Sequence, residues 1–269
     1  MFPSLVIGLF GLCSCEREIG FDYHTVEPLY VVEASLSQTQ TSVRISRTQD
    51  VTADGIGVGV EGATVVISSG DSLRVVISGG RNGYYNSTFH GEVGTRYRLD
   101  VEVEDRHFQS VSEMPAMPTM TGFRFVWMKV LTERMLMAEL RLQDIPDATN
   151  YYFMHVYRNG LGYRWAIIRD SQRDADGALV QLFSCTTERA MRQGTDADAL
   201  QEDDAIRIVV RSIDRRAYDY LYSLQFVESA GTNPIYNFTG GCLGYFSAFS
   251  QLTYECQFHL ADVGERDDG

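Results

Sequence analysis

The sequence contains very little lysine and lacks the common sequence motifs of catalytic sites. Its 23 basic residues include a single lysine, Lys129, and stand against 36 acidic residues, so the formal net charge is -13. Nucleic acids and anionic lipid surfaces select clustered Lys and Arg, and the charge therefore argues against both as partners. The sequence also contains no HExxH, GxSxG or CxxC motif. These absences predict a protein that is not an enzyme and carries no metal or other cofactor.

A long hydrophobic run is also missing at the N-terminus. The apolar run that starts at Phe2 stops at Leu12-Cys13-Ser14-Cys15, which is too short for a transmembrane helix of about 20 residues. This Leu-x-small-Cys pattern resembles the lipobox of bacterial lipoprotein precursors. It predicts a signal peptide over residues 1–14, lipid attachment at Cys15 and a tether over residues 15–26. An ordinary cleaved signal peptide and a buried N-terminal strand are the alternatives.

Turns rich in Gly, Asn and Asp divide the remaining sequence into short runs of β-branched and aromatic residues. In Tyr97-Arg98-Leu99-Asp100-Val101-Glu102-Val103 the odd positions are apolar and the even positions are charged, which is typical of a strand with one buried face. We predict a mainly β protein with two β-sandwich-like domains, the first of them Ig-like or transthyretin-like. The predicted units are an N-terminal β-sandwich over 27–113, a proline-containing linker over 114–120, a C-terminal β domain over 121–262 and a polar tail over 263–269.

One helix is predicted within the C-terminal β domain. Asp214 can cap a helix near residues 214–228, whose apolar and tyrosine side chains cover an arc of about 160°. We expect this face to pack against the sheet. The alternation of Tyr218, Tyr220 and Tyr222 also fits a strand.

Three cysteines remain after the N-terminal pair, namely Cys185, Cys242 and Cys256. An exported compartment permits disulfides, and three cysteines can form at most one. Cys242 with Cys256 is the candidate disulfide because both lie in the same C-terminal segment. Buried free thiols are the alternative.

Two further patterns invite comparison with known ligand sites. Gly57-Val58-Gly59-Val60-Glu61-Gly62 matches GxGxxG, but a strand-forming run follows where a dinucleotide site needs a helix, so we expect a flexible loop. The acidic residues between 196 and 204 can bind a cation if their loop folds back on itself, although acidic runs usually remain hydrated. The candidate cation ligands are Asp196, Asp198, Asp203 and Asp204.

The segment from 233 to 246 combines three glycines with four aromatic residues. Glycines at this density indicate that the backbone passes close to neighbouring strands or to a ligand. We favour packing within the core. The alternative is a partner or ligand surface formed by Asn237, Tyr245 and Phe246.

Several segments of the sequence together resemble one family. They include Tyr30-Val31-Val32-Glu33-Ala34, Gly62-Ala63-Thr64-Val65-Val66-Ile67, Gly94-Thr95-Arg96-Tyr97-Arg98-Leu99, Ser212-Ile213-Asp214 and the run from Gly240-Gly241 to Gly244-Tyr245-Phe246. In number and order these segments resemble the DUF4249 lipoproteins of Bacteroidetes over nearly the whole mature chain. The resemblance implies an outer-membrane lipoprotein of a kind often encoded beside TonB-dependent receptors, and hence a role near nutrient uptake. It supplies no catalytic residues.

These observations predict an exported, lipid-anchored outer-membrane protein that acts as a non-catalytic binding or accessory subunit, with a TonB-dependent receptor as its partner. A fimbrial or adhesin-type structural lipoprotein and an uncharacterised hydrolase are the alternatives. Polymerisation by strand exchange needs a donor strand, for which the polar segment 264–269 is poorly suited. A hydrolase needs a pocket with converging acid, base or nucleophile, which the sequence neither shows nor forbids.

Overall fold

The computed structural model of the chain describes residues 27–49, 57–143, 145, 148–171, 177–226 and 234–266. The predicted signal peptide, the lipid-attachment site Cys15 and the predicted tether lie outside the described residues. Within the described part, the chain forms 16 β-strands, two α-helices and one short 3-10 helix. The prediction of a mainly β protein is confirmed.

Seven strands precede the first proline of the predicted linker. They are β1 (Tyr30–Leu36), β2 (Thr41–Arg47), β3 (Thr64–Ser69), β4 (Leu73–Ile77), β5 (Tyr84–Ser87), β6 (Arg96–Val103) and β7 (Arg106–Glu113).

Nine further strands and the helices follow. They are β8 (Thr119–Val130), β9 (Glu133–Gln143), β10 (Tyr151–Arg158), β11 (Leu161–Arg169), β12 (Leu179–Thr187), α1 (Glu188–Gln193), β13 (Ala205–Ile213), α2 (Arg215–Leu224), β14 (Leu243–Ala248), β15 (Ser250–Gln257), the 3-10 helix Leu260–Asp262 and β16 (Gly264–Glu265).

The first sandwich packs the sheet β14-β1-β2-β5 against the sheet β4-β3-β6-β7. Strand β6 shows how the sequence produces this packing. Tyr97, Leu99 and Val101 point into the first core, whereas the charged residues between them point away from it. Period-two alternation of this kind suits a sheet that has one face on the core and one face in water.

The second sandwich packs the sheet β11-β10-β13-β15 against the sheet β12-β9-β8-β16. Tyr152, Met154 and Val156 of β10 are buried in this second core together with apolar residues of β8, β9 and β12. Successive side chains of a strand point to opposite faces, so the odd-numbered residues of β10 lie on the outer face of the sheet.

The predicted division into two consecutive domains is wrong for one segment. Strand β14 lies within the predicted C-terminal domain, yet it pairs in parallel with β1 at the edge of the first sandwich. Phe246 of β14 is fully buried in the first core. The pairing depends on Gly244, because a Cβ there would lie 1.9 Å from the carbonyl oxygen of Val32. The chain therefore returns to the first sandwich before it adds β15 to the second.

The predicted linker and polar tail also need correction. Met114 is buried in the first core, and β8 already begins at Thr119. In the predicted tail, Gly264–Glu265 form β16, which pairs in parallel with β8. Arg266 forms an ion pair with the buried Glu139 of β9. In the described residues of both segments, neighbouring strands satisfy backbone and charged groups.

Helix α2 occupies the predicted position and ends about one turn earlier than predicted. Asp214 caps it, since its Oδ1 accepts a hydrogen bond from the backbone N of Ala217 at 2.8 Å. Helix α1 is absent from the sequence prediction; Thr187 caps its start and Gly194, at a φ of 62°, ends it. In the part of the chain that the structure describes, neither helix is long and apolar enough to cross a membrane.

Candidate binding face

The outer face of the sheet β11-β10-β13-β15 carries a group of aromatic rings. The odd-numbered residues of β10 point to this face because the even-numbered ones fill the second core. We call the following group of residues the aromatic face: Phe153, His155, Tyr157, Trp165 and Arg207.

Backbone pairing places these residues side by side. His155 lies opposite Trp165 of β11, and Tyr157 lies opposite Arg207 of β13. Directly opposite residues of an antiparallel pair have Cβ atoms about 5 Å apart. The sheet therefore holds two neighbouring rows of aromatic and cationic side chains in fixed register.

The rings of the aromatic face are in contact with one another. The ring centroids of Phe153 and His155 lie 4.3 Å apart, and those of His155 and Tyr157 lie 5.7 Å apart in a stacked arrangement. The guanidinium carbon of Arg207 lies 4.5 Å from the centroid of the Tyr157 ring. Such contacts stabilise the side-chain conformations and favour a pre-formed surface.

Helix α2 covers only one end of this sheet face. Its Tyr218 packs against Tyr151 of β10, with ring centroids 4.7 Å apart. Phe153 packs partly into the same apolar cluster under the helix. Beyond the helix, Trp165 is 53% exposed. Among the described residues, the aromatic face is therefore open to solvent beyond the part that α2 covers.

The electrostatics of the aromatic face are set by burial and by arginine. Burial, followed by the positive charge of Arg211, lowers the pKa of His155 below its ordinary value of 6.5. At neutral pH the imidazole is therefore uncharged and offers one hydrogen-bond donor and one acceptor. The Nε of Arg211 donates to Oε1 of Gln251 at 3.0 Å. Together these groups can stack on a flat or ring-shaped moiety and hydrogen-bond its edges.

The alternative of a partner surface at Asn237, Tyr245 and Phe246 is wrong. Phe246 is fully inside the first core. Asn237 is also buried, and its Oδ1 accepts hydrogen bonds from Ser110 Oγ at 2.6 Å and from the backbone N of Phe246 at 3.0 Å. Tyr245 stacks on Tyr220 of α2 with centroids 5.5 Å apart. Gly240 and Gly244 serve close backbone packing, as the favoured interpretation of the sequence predicts.

The predicted cation loop does not form a common site. Asp196 accepts hydrogen bonds from Thr186 Oγ1 at 2.6 Å and from the backbone N of Asp198 at 2.9 Å. Asp204 is buried and accepts from Arg158 Nε at 2.6 Å. Burial alone would raise the pKa of Asp204, but hydrogen bonds from the surrounding donors outweigh it and lower this pKa. Asp196 and Asp204 thus order the loop.

Asp203 and its neighbour Glu202 instead lie beside His259, which comes from a distant part of the chain. His259 Nδ1 lies 2.9 Å from Oε1 of Glu202 and 3.5 Å from Oδ1 of Asp203. The hydrogen bond to Glu202 raises the pKa of His259. One ligand atom from each of the three lies within 4.8 Å of the others, so they could hold a metal ion. The long sequence separation of His259 left no spacing signal for this cluster.

The candidate disulfide between Cys242 and Cys256 is absent, because Cys185, Cys242 and Cys256 are all free thiols. Cys242 is buried in the first core, whereas Cys256 packs against the second core. Burial raises the pKa of Cys242 to about 12 and that of Cys185 to about 11. The three cysteines are therefore free and largely buried thiols, as the other interpretation of the sequence predicts.

Most of the chain matches one family. The model of the family described as "Domain of unknown function (DUF4249)" matches residues 16–255. No protein of curated function matches the chain.

Two solved structures are similar to the chain at low identity. A two fibronectin type-III domain segment from chicken tenascin is 9% identical with a TM-score of 0.24, over 86% of this chain and 100% of that chain. A "putative carbohydrate binding protein" from Bacteroides uniformis is 8% identical with a TM-score of 0.23, over 85% of this chain and 98% of that chain. At these TM-scores neither likeness supports an inference about this chain.

Proposed function

The chain belongs to the DUF4249 family, and we propose that it is a non-catalytic, lipid-anchored subunit of the outer membrane with a binding or accessory role in nutrient uptake. The proposed partner is a TonB-dependent transporter. In this proposal the lipid on Cys15 provides the attachment, the two sandwiches provide a rigid scaffold, and the aromatic face provides recognition.

The aromatic face is the observation that carries the proposal. Trp, Tyr and Arg are the residues most enriched at the energetic centres of protein interfaces. Here Trp165, Tyr157 and Arg207 lie together on one sheet, and about half of the surface of Trp165 is exposed. Covering that apolar surface would contribute favourable free energy on binding.

The scaffold beneath the aromatic face supports the same role. Strand β10 is paired along its whole length with β11 on one side and with β13 on the other. A face built on such a central strand needs little ordering when a partner binds, so the entropic cost of binding is small.

Trp165→Ala is the variant that tests recognition. We expect it to reduce recovery of the transporter by about 30-fold, because truncation of an anchoring tryptophan costs about 2 kcal/mol or more of binding free energy. Recovery is measured by affinity purification of the lipidated protein from its native outer membrane, followed by quantitative mass spectrometry.

Tyr84→Ala is the matched control, because Tyr84 is a similarly exposed ring, 48% exposed, on the first sandwich. Its recovery of the transporter should equal that of the unchanged protein. Equal recovery with Trp165→Ala would exclude the aromatic face as the contact. Long self-polymers would favour the adhesin alternative, and hydrolytic turnover by the free protein would contradict a non-catalytic role.

Anchoring is tested separately at Cys15. We expect Cys15→Ala to move the protein from the membrane fraction to the soluble fraction, since the acyl chains on a lipidated cysteine supply the membrane affinity. Cys13→Ala is the control and should remain in the membrane fraction. Unchanged fractionation of Cys15→Ala together with an unshifted mass would contradict lipid attachment at this residue.

A further inference from the structure

A second candidate binding surface lies on the first sandwich, on the outer face of the sheet β4-β3-β6-β7. It is a cavity of about 640 Å³, a volume within the ordinary range of small-molecule sites. We call the lining group that follows the arginine groove: Val66, Ser68, Arg74, Arg96, Arg98 and Val111.

Strand register explains why these residues meet. Ser68 of β3 lies opposite Arg74 of β4 on one side and opposite Arg98 of β6 on the other. Neighbouring strands are about 4.8 Å apart, so the two arginine backbones flank Ser68 at a separation of about 10 Å. Arg96 is two residues before Arg98 and therefore projects from the same face.

The arginines of the groove have little compensating charge. Arg98 donates from Nε to Oδ2 of Asp100 at 2.8 Å. No ion pair of Arg74 or Arg96 occurs within the described residues, and Asp71 is the single carboxylate that lines this cavity there. Clustered like charges on one sheet face repel each other. Asp100 and Glu113 lie on the same sheet face, and Glu113 is directly opposite Arg96, so the arginines outnumber the carboxylates in the lining of this cavity and not on the whole face.

The positive charge continues beyond the first cavity. An adjoining cavity of about 180 Å³ shares Arg96 and adds Arg215 and Arg216 from the start of α2, against Glu113 and the helix cap Asp214. Arginines outnumber carboxylates in the combined lining. Arg215, however, forms an ion pair with Asp219 at 3.5 Å, and Arg216 donates to the backbone oxygen of Asn237 at 2.6 Å. Arg74 and Arg96 are therefore the guanidinium groups that the groove offers to an anionic ligand.

We propose that the arginine groove binds a small ligand that carries at least two phosphoryl or carboxylate groups. Guanidinium groups donate paired hydrogen bonds to such oxyanions, and the hydroxyl of Ser68 supplies a further donor between Arg74 and Arg98. Val66 and Val111 provide an apolar floor for the body of the ligand. This binding is independent of the proposed contact at the aromatic face.

Isothermal titration calorimetry of the full protein with pyrophosphate and with citrate tests the arginine groove. We expect binding of at least one probe, with an affinity that falls as salt concentration rises. Arg74→Gln and Arg96→Gln should each weaken it about tenfold, because each removes a charged donor. Arg81→Gln is the control: it removes an exposed guanidinium outside the groove and should leave the affinity unchanged.

The two probes distinguish the source of the anion. Binding of pyrophosphate alone supports a phosphoryl ligand, and binding of citrate alone supports a carboxylate ligand. Binding of neither probe, or equal weakening by Arg81→Gln and Arg74→Gln, would overturn the proposal. The Arg74→Gln protein should co-purify with the transporter as well as the unchanged protein does. Loss of anion binding at the groove can therefore be distinguished from loss of transporter binding at the aromatic face.

Discussion

Gly244→Ala is expected to lower the free energy of unfolding by about 3 kcal/mol or more. Gly244 has a φ of 104°, where residues with a Cβ are strained. The added Cβ would also lie 1.9 Å from the carbonyl oxygen and 2.6 Å from the carbonyl carbon of Val32. These are backbone atoms that cannot rotate away, so β14 must separate from β1. Phe246 then loses packing in the first core. Urea unfolding of the purified variants measures the loss.

Gly241→Ala separates backbone strain from steric overlap. Gly241 also has a positive φ, 84°, but a Cβ there would meet no atom within 4 Å. We expect this control to cost only about 1 kcal/mol, the ordinary penalty for a residue in the left-handed region. Similar losses of unfolding free energy in the two variants would contradict a close β1–β14 contact that joins the second half of the chain to the first core.

The second large effect is expected at a buried carboxylate on the outer face of β9. Glu139 is 1% exposed, and its Oε1 accepts a hydrogen bond from Arg124 Nε at 2.8 Å. Arg266 donates to the other oxygen, and Arg141 Nη1 lies 3.9 Å away. Burial alone would raise the pKa of Glu139, but Arg124 and Arg266 outweigh burial and lower the pKa.

The combined variant Arg124→Gln/Arg266→Gln should lose about 3 kcal/mol of unfolding free energy at pH 7, because it leaves a buried charge without its main partners. In the unchanged protein the stabilisation from Glu139 is fully present above the unfolded pKa of about 4.5 and is lost as pH falls through the lower folded pKa. In the variant, burial should dominate and raise the folded pKa. Its deficit should therefore shrink as pH falls and Glu139 takes up a proton. Urea unfolding at pH 7 and at pH 4 measures both effects.

Adding Glu139→Gln to that variant is the matched control. The neutral side chain keeps the volume of glutamate and removes the buried charge, so most of the lost stability should return at pH 7. A deficit that is independent of pH, or one that Glu139→Gln leaves unchanged, would show that the arginines act through packing of their side chains rather than through the carboxylate.

Most of the candidate binding face was hidden from sequence reasoning. Aromatic residues occupy both faces of β10, with Tyr152 in the core and His155 and Tyr157 outside it. Period-two alternation distinguishes the two faces of such a strand only when one of them is polar. Which part of the outer face remains open depends on which part α2 covers, and that is decided by contacts such as that of Tyr218 with Tyr151.

The sequence by itself determined the elements that depend on local chemistry. Alternating burial in β6 follows from the period-two pattern from Tyr97 to Val103, and the start of α2 follows from the capping chemistry of Asp214. Only the tertiary structure decided that β14 joins β1, that Glu202 meets His259, and that Trp165 stays exposed beyond α2. These outcomes depend on contacts between parts of the chain that are distant in sequence. Whether two backbones fit against each other, and whether a neighbouring element covers a side chain, decide such contacts. The local periodicity of a sequence carries no information about either of these conditions.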